Sequence, residues 1–124
     1  MIYSHDYTKL QRLYYTTIRR YNKGYKVGDI ITERYPSGQH KAKIMDIKKE
    51  TLDNLSNSFL YEDTDCLIRE NVYKLFQTFY KKPIDFEKEK FYVFYLKKVA
   101  LTKPSRRVDN KLFTFAGNRS NYMG

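Results

Sequence analysis

The segment KFYVFYLKKV, which spans residues 90–99, restricts the fold more than any other part of the chain. Its residues alternate as in a β-strand, and both alternating faces are apolar or aromatic. One face carries Phe91, Val93 and Tyr95, and the other carries Tyr92, Phe94 and Leu96. A strand of this kind needs cover on both sides, so it belongs in the middle of a sheet or barrel. The chain is therefore expected to fold around this strand.

Three earlier segments predict the strands that accompany it, because each has strand composition and is bounded by turn residues. They cover residues 16–20, 29–35 and 40–50. The triplet Asn22–Gly24 predicts a turn between the first two, and Pro36–Gln39 predicts a hairpin turn before the third. The side chains of the third segment that are expected to face the core are Ala42, Ile44 and Met45.

Helices are predicted where apolar residues recur at spacings of three and four. One covers residues 5–14, a second begins at its cap residue Thr51, and a third spans residues 66–80 with Thr64 or Asp65 as its cap. The acidic segment YEDTD, which contains both of these caps, is expected to be a polar loop. The apolar stripe of the third helix consists of Leu67, Ile68, Val72, Leu75, Phe76 and Phe79.

This order of elements predicts an α+β domain over residues 1–99, with a small curved sheet or open β-barrel and flanking helices. Residues 100–124 carry five basic side chains and one acidic one, and they are expected to form a partly ordered basic extension. The whole chain has 24 basic and 14 acidic residues, a net charge of +10. On a small domain with 13 tyrosines, this charge favours a polyanionic partner such as nucleic acid, although solubility alone would also explain it.

Residue content disfavours several kinds of chemistry. The single cysteine, Cys66, excludes an internal disulfide and a cysteine-based zinc site, and it is expected to pack in the core. His5 and His40 stand in no recognisable catalytic arrangement, and no phosphate loop or dinucleotide fingerprint is present, so no metal or cofactor is expected. Neither a membrane-spanning stretch nor a secretion signal is seen. We therefore expect a soluble cytoplasmic protein without a membrane partner, in an oligomeric state that the sequence leaves open.

The stretch YYTTIRRYNKGYKVGDIIT, residues 14–32, combines hydroxyls, arginines and tyrosines ahead of an apolar strand. Followed by TLDNLS, YEDTD and the final strand in that order, it resembles the ASCH domains, which belong to the PUA-like group of small β-barrels associated with RNA. Within that group the chain is most similar to the small bacterial enzymes that hydrolyse N4-acetylcytidine. The resemblance covers residues 10–98, and it implies a PUA-like open barrel with a cleft for a base or nucleotide.

The resemblance also implies roles for individual residues. The threonine nucleophile of those enzymes corresponds to Thr17, the arginine two places later to Arg19, and the catalytic glutamate to Asp63. Their catalytic lysine corresponds to Tyr14, and a tyrosine with a reference pKa near 10 is a poor general base at neutral pH. The catalytic set is therefore incomplete in the sequence.

Binding requires fewer groups than catalysis. Tyr14 can stack on a base, Arg19 or Arg20 can bind a phosphate, and Glu62 or Asp63 can accept hydrogen bonds from an exocyclic amino group. Further phosphate contacts are expected from Lys23, Lys26 and the C-terminal extension. The same residues have structural interpretations, with Tyr14 in the core of the first helix and Arg19 in an ion pair with Asp63.

Three functions remain open at this point. The first is binding of RNA or another nucleic acid in a cleft of the size of a base or nucleotide. The second is an amidohydrolase acting on a modified nucleoside such as N4-acetylcytidine, with Thr17 and Asp63 as its catalytic residues. The third is a protein–protein adaptor of viral type, which predicts a basic face without an aromatic-lined cleft. A lysine amine close to Thr17 would favour catalysis.

Overall fold

The computed structural model describes residues 1–99, which form an α+β fold on one four-stranded antiparallel sheet. The strands are β1 (Tyr14–Arg19), β2 (Ile30–Tyr35), β3 (Gly38–Thr51) and β4 (Lys90–Val99), and their order across the sheet is β1-β4-β3-β2. The helices are α1 (Asn57–Thr64) and α2 (Arg69–Phe79). Within this part of the chain neither helix has the length and apolar character needed to cross a membrane. The predicted C-terminal extension lies outside the described residues.

The prediction that residues 90–99 form a central strand is confirmed, because β4 pairs with β1 on one side and with β3 on the other. Its two faces pack into different clusters. Phe91 and Val93 pack with α1 and α2 on what we call the helix face, whereas Phe94 and Leu96 lie in a separate cluster on the opposite face. All four side chains are almost fully buried, which explains why the strand is apolar on both faces.

The N-terminal segment joins the two edge strands of the sheet. Ile2 forms a parallel bridge with Arg34 of β2, and the Tyr3 nitrogen donates to the Arg34 carbonyl at 2.8 Å. On the other side, Arg19 of β1 donates from Nη2 to the Ile2 carbonyl at 3.1 Å. The curled sheet has the shape of half a barrel, which agrees with the predicted α+β class and is compatible with a small open barrel.

The predicted helix over residues 5–14 is wrong. Only Thr8–Gln11 turn, as a 3-10 helix, and β1 already begins at Tyr14. Leu13 and Tyr14, which the helical spacing placed on the apolar side, are 53% and 59% exposed. Tyr14 and its successors pair with β4 instead, and this contact between distant parts of the chain overrides the local spacing.

The hairpin turn predicted at Pro36–Gln39 is confirmed, since β2 and β3 pair across it. Ala42 and Ile44 are fully buried, as predicted, but Met45 is 45% exposed. The register of β3 against β4 shifts between Ile44 and Asp46. Met45 follows the inward-facing Ile44, so it projects from the other face of β3, and the bulge that begins there adds one extra residue to the strand.

Both α-helices begin and end at residues other than those that the spacing predicts. The segment YEDTD is not a loop, because Tyr61–Thr64 form the second half of α1, which the Ser56 hydroxyl caps. Asp65 then adopts a left-handed φ of 63°, and the helix ends there. Helix α2 begins at Arg69, and no side chain of residues 1–99 caps its N-terminus. Neither Thr64 nor Asp65 is therefore the cap of the following helix.

The helix predicted at Thr51 and the predicted apolar stripe of the third helix are both shorter in the structure. The Thr51 hydroxyl accepts a hydrogen bond from the Asn54 nitrogen, but it caps only the 3-10 turn Leu52–Asn54. In the predicted apolar stripe, Val72 and Phe76 are buried. The residues of that stripe that are exposed are Leu67, Ile68 and Phe79. The first two precede α2, so they do not belong to its buried face.

Candidate ligand-binding site

A cavity of about 300 Å3 opens between β1, the N-terminal segment, the end of α1 and α2. We call it the Lys9 cavity. Its apolar wall comes from α2, and its polar wall brings together Tyr3, Tyr7, Lys9, Thr17, Arg19 and Asp63. The resemblance singled out Thr17, Arg19 and Asp63, and the fold places all three on this one cavity.

Lys9 and Asp63 form a buried ion pair in the cavity wall. Lys9 donates from Nζ to Oδ1 of Asp63 at 3.0 Å, and the Thr16 hydroxyl donates to Oδ2 at 2.7 Å. Lys9 is 3% exposed and Asp63 is 4% exposed. Burial lowers the pKa of Lys9 because the ammonium loses its water, and the charge of Asp63 opposes that shift. A charge buried this deeply requires a partner, so each residue holds the other in place.

The 3-10 turn that carries Lys9 is tied to the C-terminal end of α1. The Thr8 nitrogen donates to Oδ2 of Asp65 at 2.9 Å, and Arg12 donates from Nη1 to the Glu62 carbonyl at 3.2 Å. These bonds flank Lys9 along the chain. They place its amine next to the one carboxylate of YEDTD that is buried.

Two tyrosine rings lie beside the amine of Lys9. Nζ is 5.3 Å from the ring centroid of Tyr3 and 5.4 Å from that of Tyr7, and the Arg19 guanidinium carbon is 4.9 Å from the Tyr3 centroid. Cations at these distances are attracted to the faces of aromatic rings. The Tyr3 hydroxyl donates to the buried Glu33 at 2.7 Å, which orients its ring. The cavity therefore combines aromatic surface with two cations and a carboxylate.

Thr17 and Arg19 line the cavity from the edge strand β1. Thr17 is 2% exposed, and Arg19 donates from Nε to the Thr17 hydroxyl at a long 3.4 Å. An ion pair between Arg19 and Asp63 is not found among the described residues, because Asp63 pairs with Lys9 and Arg19 donates to the Ile2 carbonyl. That structural interpretation of Arg19 is wrong.

Sequence reasoning missed Lys9. The resemblance assigns the lysine position to Tyr14, and Lys9 lies in the helix predicted over residues 5–14, outside its apolar positions Leu10, Leu13 and Tyr14. One sequence feature could have drawn attention to it, since it is the only lysine among the first 22 residues. Its burial depends on contact with Asp63 of α1, which lies 54 positions further along the chain, and no local pattern indicates that contact.

A second cavity, of about 260 Å3, lies on the other side of Asp63, and we call it the Tyr14 cavity. Tyr14 and Glu62 line it, together with Arg12, Thr16 and Tyr95. Thr16 connects the two cavities through its hydrogen bond to Asp63. The residues predicted to share one cleft are thus divided, with Tyr14 and Glu62 in this cavity and Thr17 and Arg19 in the other.

The remaining predicted contacts line neither cavity. Arg20 donates from Nη2 to Oε1 of Glu89 at 2.9 Å and to the Pro83 carbonyl at 3.0 Å, so it ties β1 to the loop before β4. Lys23 and Lys26 are exposed in the loop between β1 and β2. They remain available to a phosphate chain on the surface.

Within residues 1–99, no group of three or more His, Cys, Asp or Glu side chains is placed to hold a metal ion. The expectation that Cys66 packs in the core is met only in part, because Cys66 is partly buried and packs against the cluster on the helix face.

The chain is similar to an uncharacterized protein of Methanocaldococcus jannaschii, with 36% identity over 67 residues. The match covers 51% of this chain and 59% of that protein, so the chain spans less than two thirds of its relative. No family model matches the chain, and no solved structure does.

Proposed function

We propose that this protein binds single-stranded RNA through a PUA-like barrel of ASCH type, and that one unstacked base enters the Lys9 cavity. The observation that carries the proposal is the buried Lys9–Asp63 pair inside a cavity walled by Tyr3 and Tyr7. Buried charges that line a cavity are more typical of ligand recognition than of packing.

The cavity offers complementary groups for a base that carries an amino group beside a ring acceptor, as cytosine does. Each oxygen of Asp63 accepts one hydrogen bond from the protein, and a carboxylate oxygen has capacity for a second, from an exocyclic amino group. Lys9 has three N–H donors, and only one of them is bonded within the described residues, to Asp63. The ring of Tyr7, which is only partly buried, offers a stacking surface at the cavity.

Charge supports the same proposal. The chain carries a net +10, and Arg19 lies at the cavity with a guanidinium that suits a phosphate oxygen. Neutralising phosphates releases counterions, so binding of this kind weakens as salt rises. The aromatic lining distinguishes this site from the plain basic face of an adaptor.

Replacing Tyr7 by alanine is expected to weaken RNA binding by about 1–3 kcal/mol, because a base loses its stacking partner. The measurement is fluorescence anisotropy of a labelled cytidine octanucleotide at about 50 and about 200 mM salt. Tyr61→Ala is the matched control, since Tyr61 is exposed and lines neither cavity. Salt-independent binding, or equal losses in the two variants, would contradict the proposal.

One observation favours a second candidate, an amidohydrolase acting on a modified nucleoside. Lys9, Thr17 and Asp63 line the same cavity. The cavity of Thr17 therefore contains a lysine, although this lysine is Lys9 and the corresponding position in the resemblance is Tyr14. Thr17 would attack the amide carbonyl while Lys9, held in place by Asp63, accepts its proton. The amide C–N bond would then break, and the N4 amine of cytidine would leave with that proton. Water would hydrolyse the acetyl ester on Thr17 and release acetate. The lowered pKa of Lys9 suits that role, because more of the amine is neutral near pH 7.

Under this second candidate, Thr17→Val is expected to lower the release of cytidine from N4-acetylcytidine by about 100-fold or more. Chromatography of the products measures the rate, and Thr32→Val, a strand threonine outside both cavities, is the control. The wild-type rate should rise with pH and level off below the ordinary pKa of lysine, since Lys9 must be neutral to accept the proton. If the wild-type protein releases no cytidine, binding alone remains.

A further inference from the structure

The register of the sheet places an exposed tyrosine in line with two lysines. Tyr14 of β1 pairs with Lys97 of β4, Lys97 with Lys43 of β3, and Lys43 with Ile30 of β2. Residues directly opposite each other in antiparallel strands project from the same face, so these four form one row across the sheet. Tyr14 is 59% exposed and Ile30 is 58% exposed. We call this the Tyr14 row.

The Tyr14 row lies on the helix face, at the end that the helices do not cover. Ile18 and Val93, further along β1 and β4 on the same face, pack against Val72 and Phe76 of α2. The alternation that buries Ile18 therefore leaves Tyr14 on the open part of that face. The Tyr14 cavity lies at the boundary, where Phe59 of α1 meets Tyr95 with ring centroids 6.5 Å apart.

The two lysines of the Tyr14 row destabilise the sheet. Lys97 and Lys43 are directly opposite each other, and like charges in that position destabilise a sheet. Within residues 1–99 neither amine has a carboxylate within salt-bridge distance. Lys97 Nζ instead lies 5.6 Å from the Tyr14 ring centroid, and Lys48 Nζ lies 5.4 Å from that of Tyr95. A polyanion would relieve this repulsion.

We propose that the Tyr14 cavity and the Tyr14 row bind the nucleotides next to the base held in the Lys9 cavity. A base would stack on Tyr14 and Tyr95 in the cavity, and its flanking phosphates would contact Lys97 and Lys43. Stacking aromatics beside cations are the features with which proteins bind single strands without reading sequence. This inference rests on the proposed function and extends it from one base to a short strand.

The two cavities are close enough for consecutive nucleotides because they share a wall. Asp63 lines the Lys9 cavity, and the hydroxyl that donates to its Oδ2 belongs to Thr16 of the Tyr14 cavity. Arg12 lies at the same boundary and offers a further contact to phosphate.

Two variants of the full chain test this site with labelled cytidine octanucleotide and dinucleotide. Tyr14→Ala is expected to weaken octanucleotide binding about 5- to 150-fold through lost stacking. The double variant Lys43→Gln with Lys97→Gln is expected to flatten the slope of log K against log salt by about 1.4, or about 0.7 for each lost phosphate contact. Tyr61→Ala and Lys88→Gln, both exposed and outside the cavities, serve as matched controls.

The outcomes separate this inference from the proposed function. Octanucleotide binding that is weakened by Tyr7→Ala but unchanged in both test variants would overturn the inference and leave the proposed function standing. Dinucleotide binding that Tyr7→Ala weakens and Tyr14→Ala leaves unchanged would do the same. Absence of binding to either oligonucleotide would overturn both. Losses in the two test variants but in neither control, with unchanged thermal unfolding, would support the second site.

Discussion

Replacing Asp63 by asparagine is expected to destabilise the fold by about 3–5 kcal/mol, because the ammonium of Lys9 then lies buried without a counter-charge. Asparagine keeps the shape of the side chain and can still accept from Thr16, so the loss reports on charge rather than on packing. The loss has a ceiling of about 5 kcal/mol at pH 7, the free energy of neutralising a lysine whose reference pKa is about 10.4.

The effect of pH on this variant has a definite sign. Without Asp63 the pKa of Lys9 in the folded protein falls further below the unfolded value, so the unfolded state binds more protons between the two pKa values. The stability of the variant therefore rises with pH in that window, and its deficit against the wild type shrinks towards pH 10. Urea unfolding at neutral and alkaline pH measures both quantities.

Two variants serve as controls for Asp63→Asn. Asp65→Asn changes an exposed carboxylate that, within residues 1–99, accepts only from the Thr8 nitrogen, and it should cost about 1 kcal/mol or less. Adding Lys9→Met to Asp63→Asn removes the stranded charge and should recover most of the loss. If Asp63→Asn and Asp65→Asn lower the free energy of unfolding equally, the Lys9–Asp63 ion pair is not buried as described.

Adjacent residues of β3 are expected to differ greatly in their contribution to stability. Ile44→Ala should cost about 2–5 kcal/mol, because the side chain is fully buried between Ala42 and Leu96 in the cluster opposite the helices and its loss leaves a cavity. Met45→Ala should change stability by about 0.5 kcal/mol or less, since Met45 is at the surface. Urea unfolding of the two variants checks the contrast.

This comparison tests the placement of Met45 directly. Ile44 and Met45 are adjacent in β3 and project from opposite faces, and only Ile44 lies in the buried cluster. Comparable losses in the two variants would therefore contradict the surface position of Met45.

Elements with a strong local pattern could be predicted from the sequence. The two apolar faces of residues 90–99 required a central strand, and the turn residues Pro36–Gln39 required a hairpin. The bulge at Met45 could not be predicted in the same way, because neither glycine nor proline marks it and its position depends on pairing with β4. The helix proposed for residues 5–14 failed for the related reason that strand pairing outweighed a short helical spacing.

In the candidate site, too, local patterns predict some placements and long-range contacts decide others. Thr17 and Arg19 are two apart in one strand, so their common face follows from alternation once the strand is recognised. Tyr14 and Arg19 are an odd number of residues apart and take opposite faces of β1, which the sequence would have indicated had Tyr14 been placed in the strand.

By itself the sequence determined the central strand, the hairpin, the α+β class and the positive charge, because these follow from composition and spacing over a few residues. Only the tertiary structure decided which lysine meets Asp63. That contact joins residues 54 positions apart, and it forms because hydrogen bonds from the turn at Thr8–Gln11 and from Arg12 hold that turn against the end of α1.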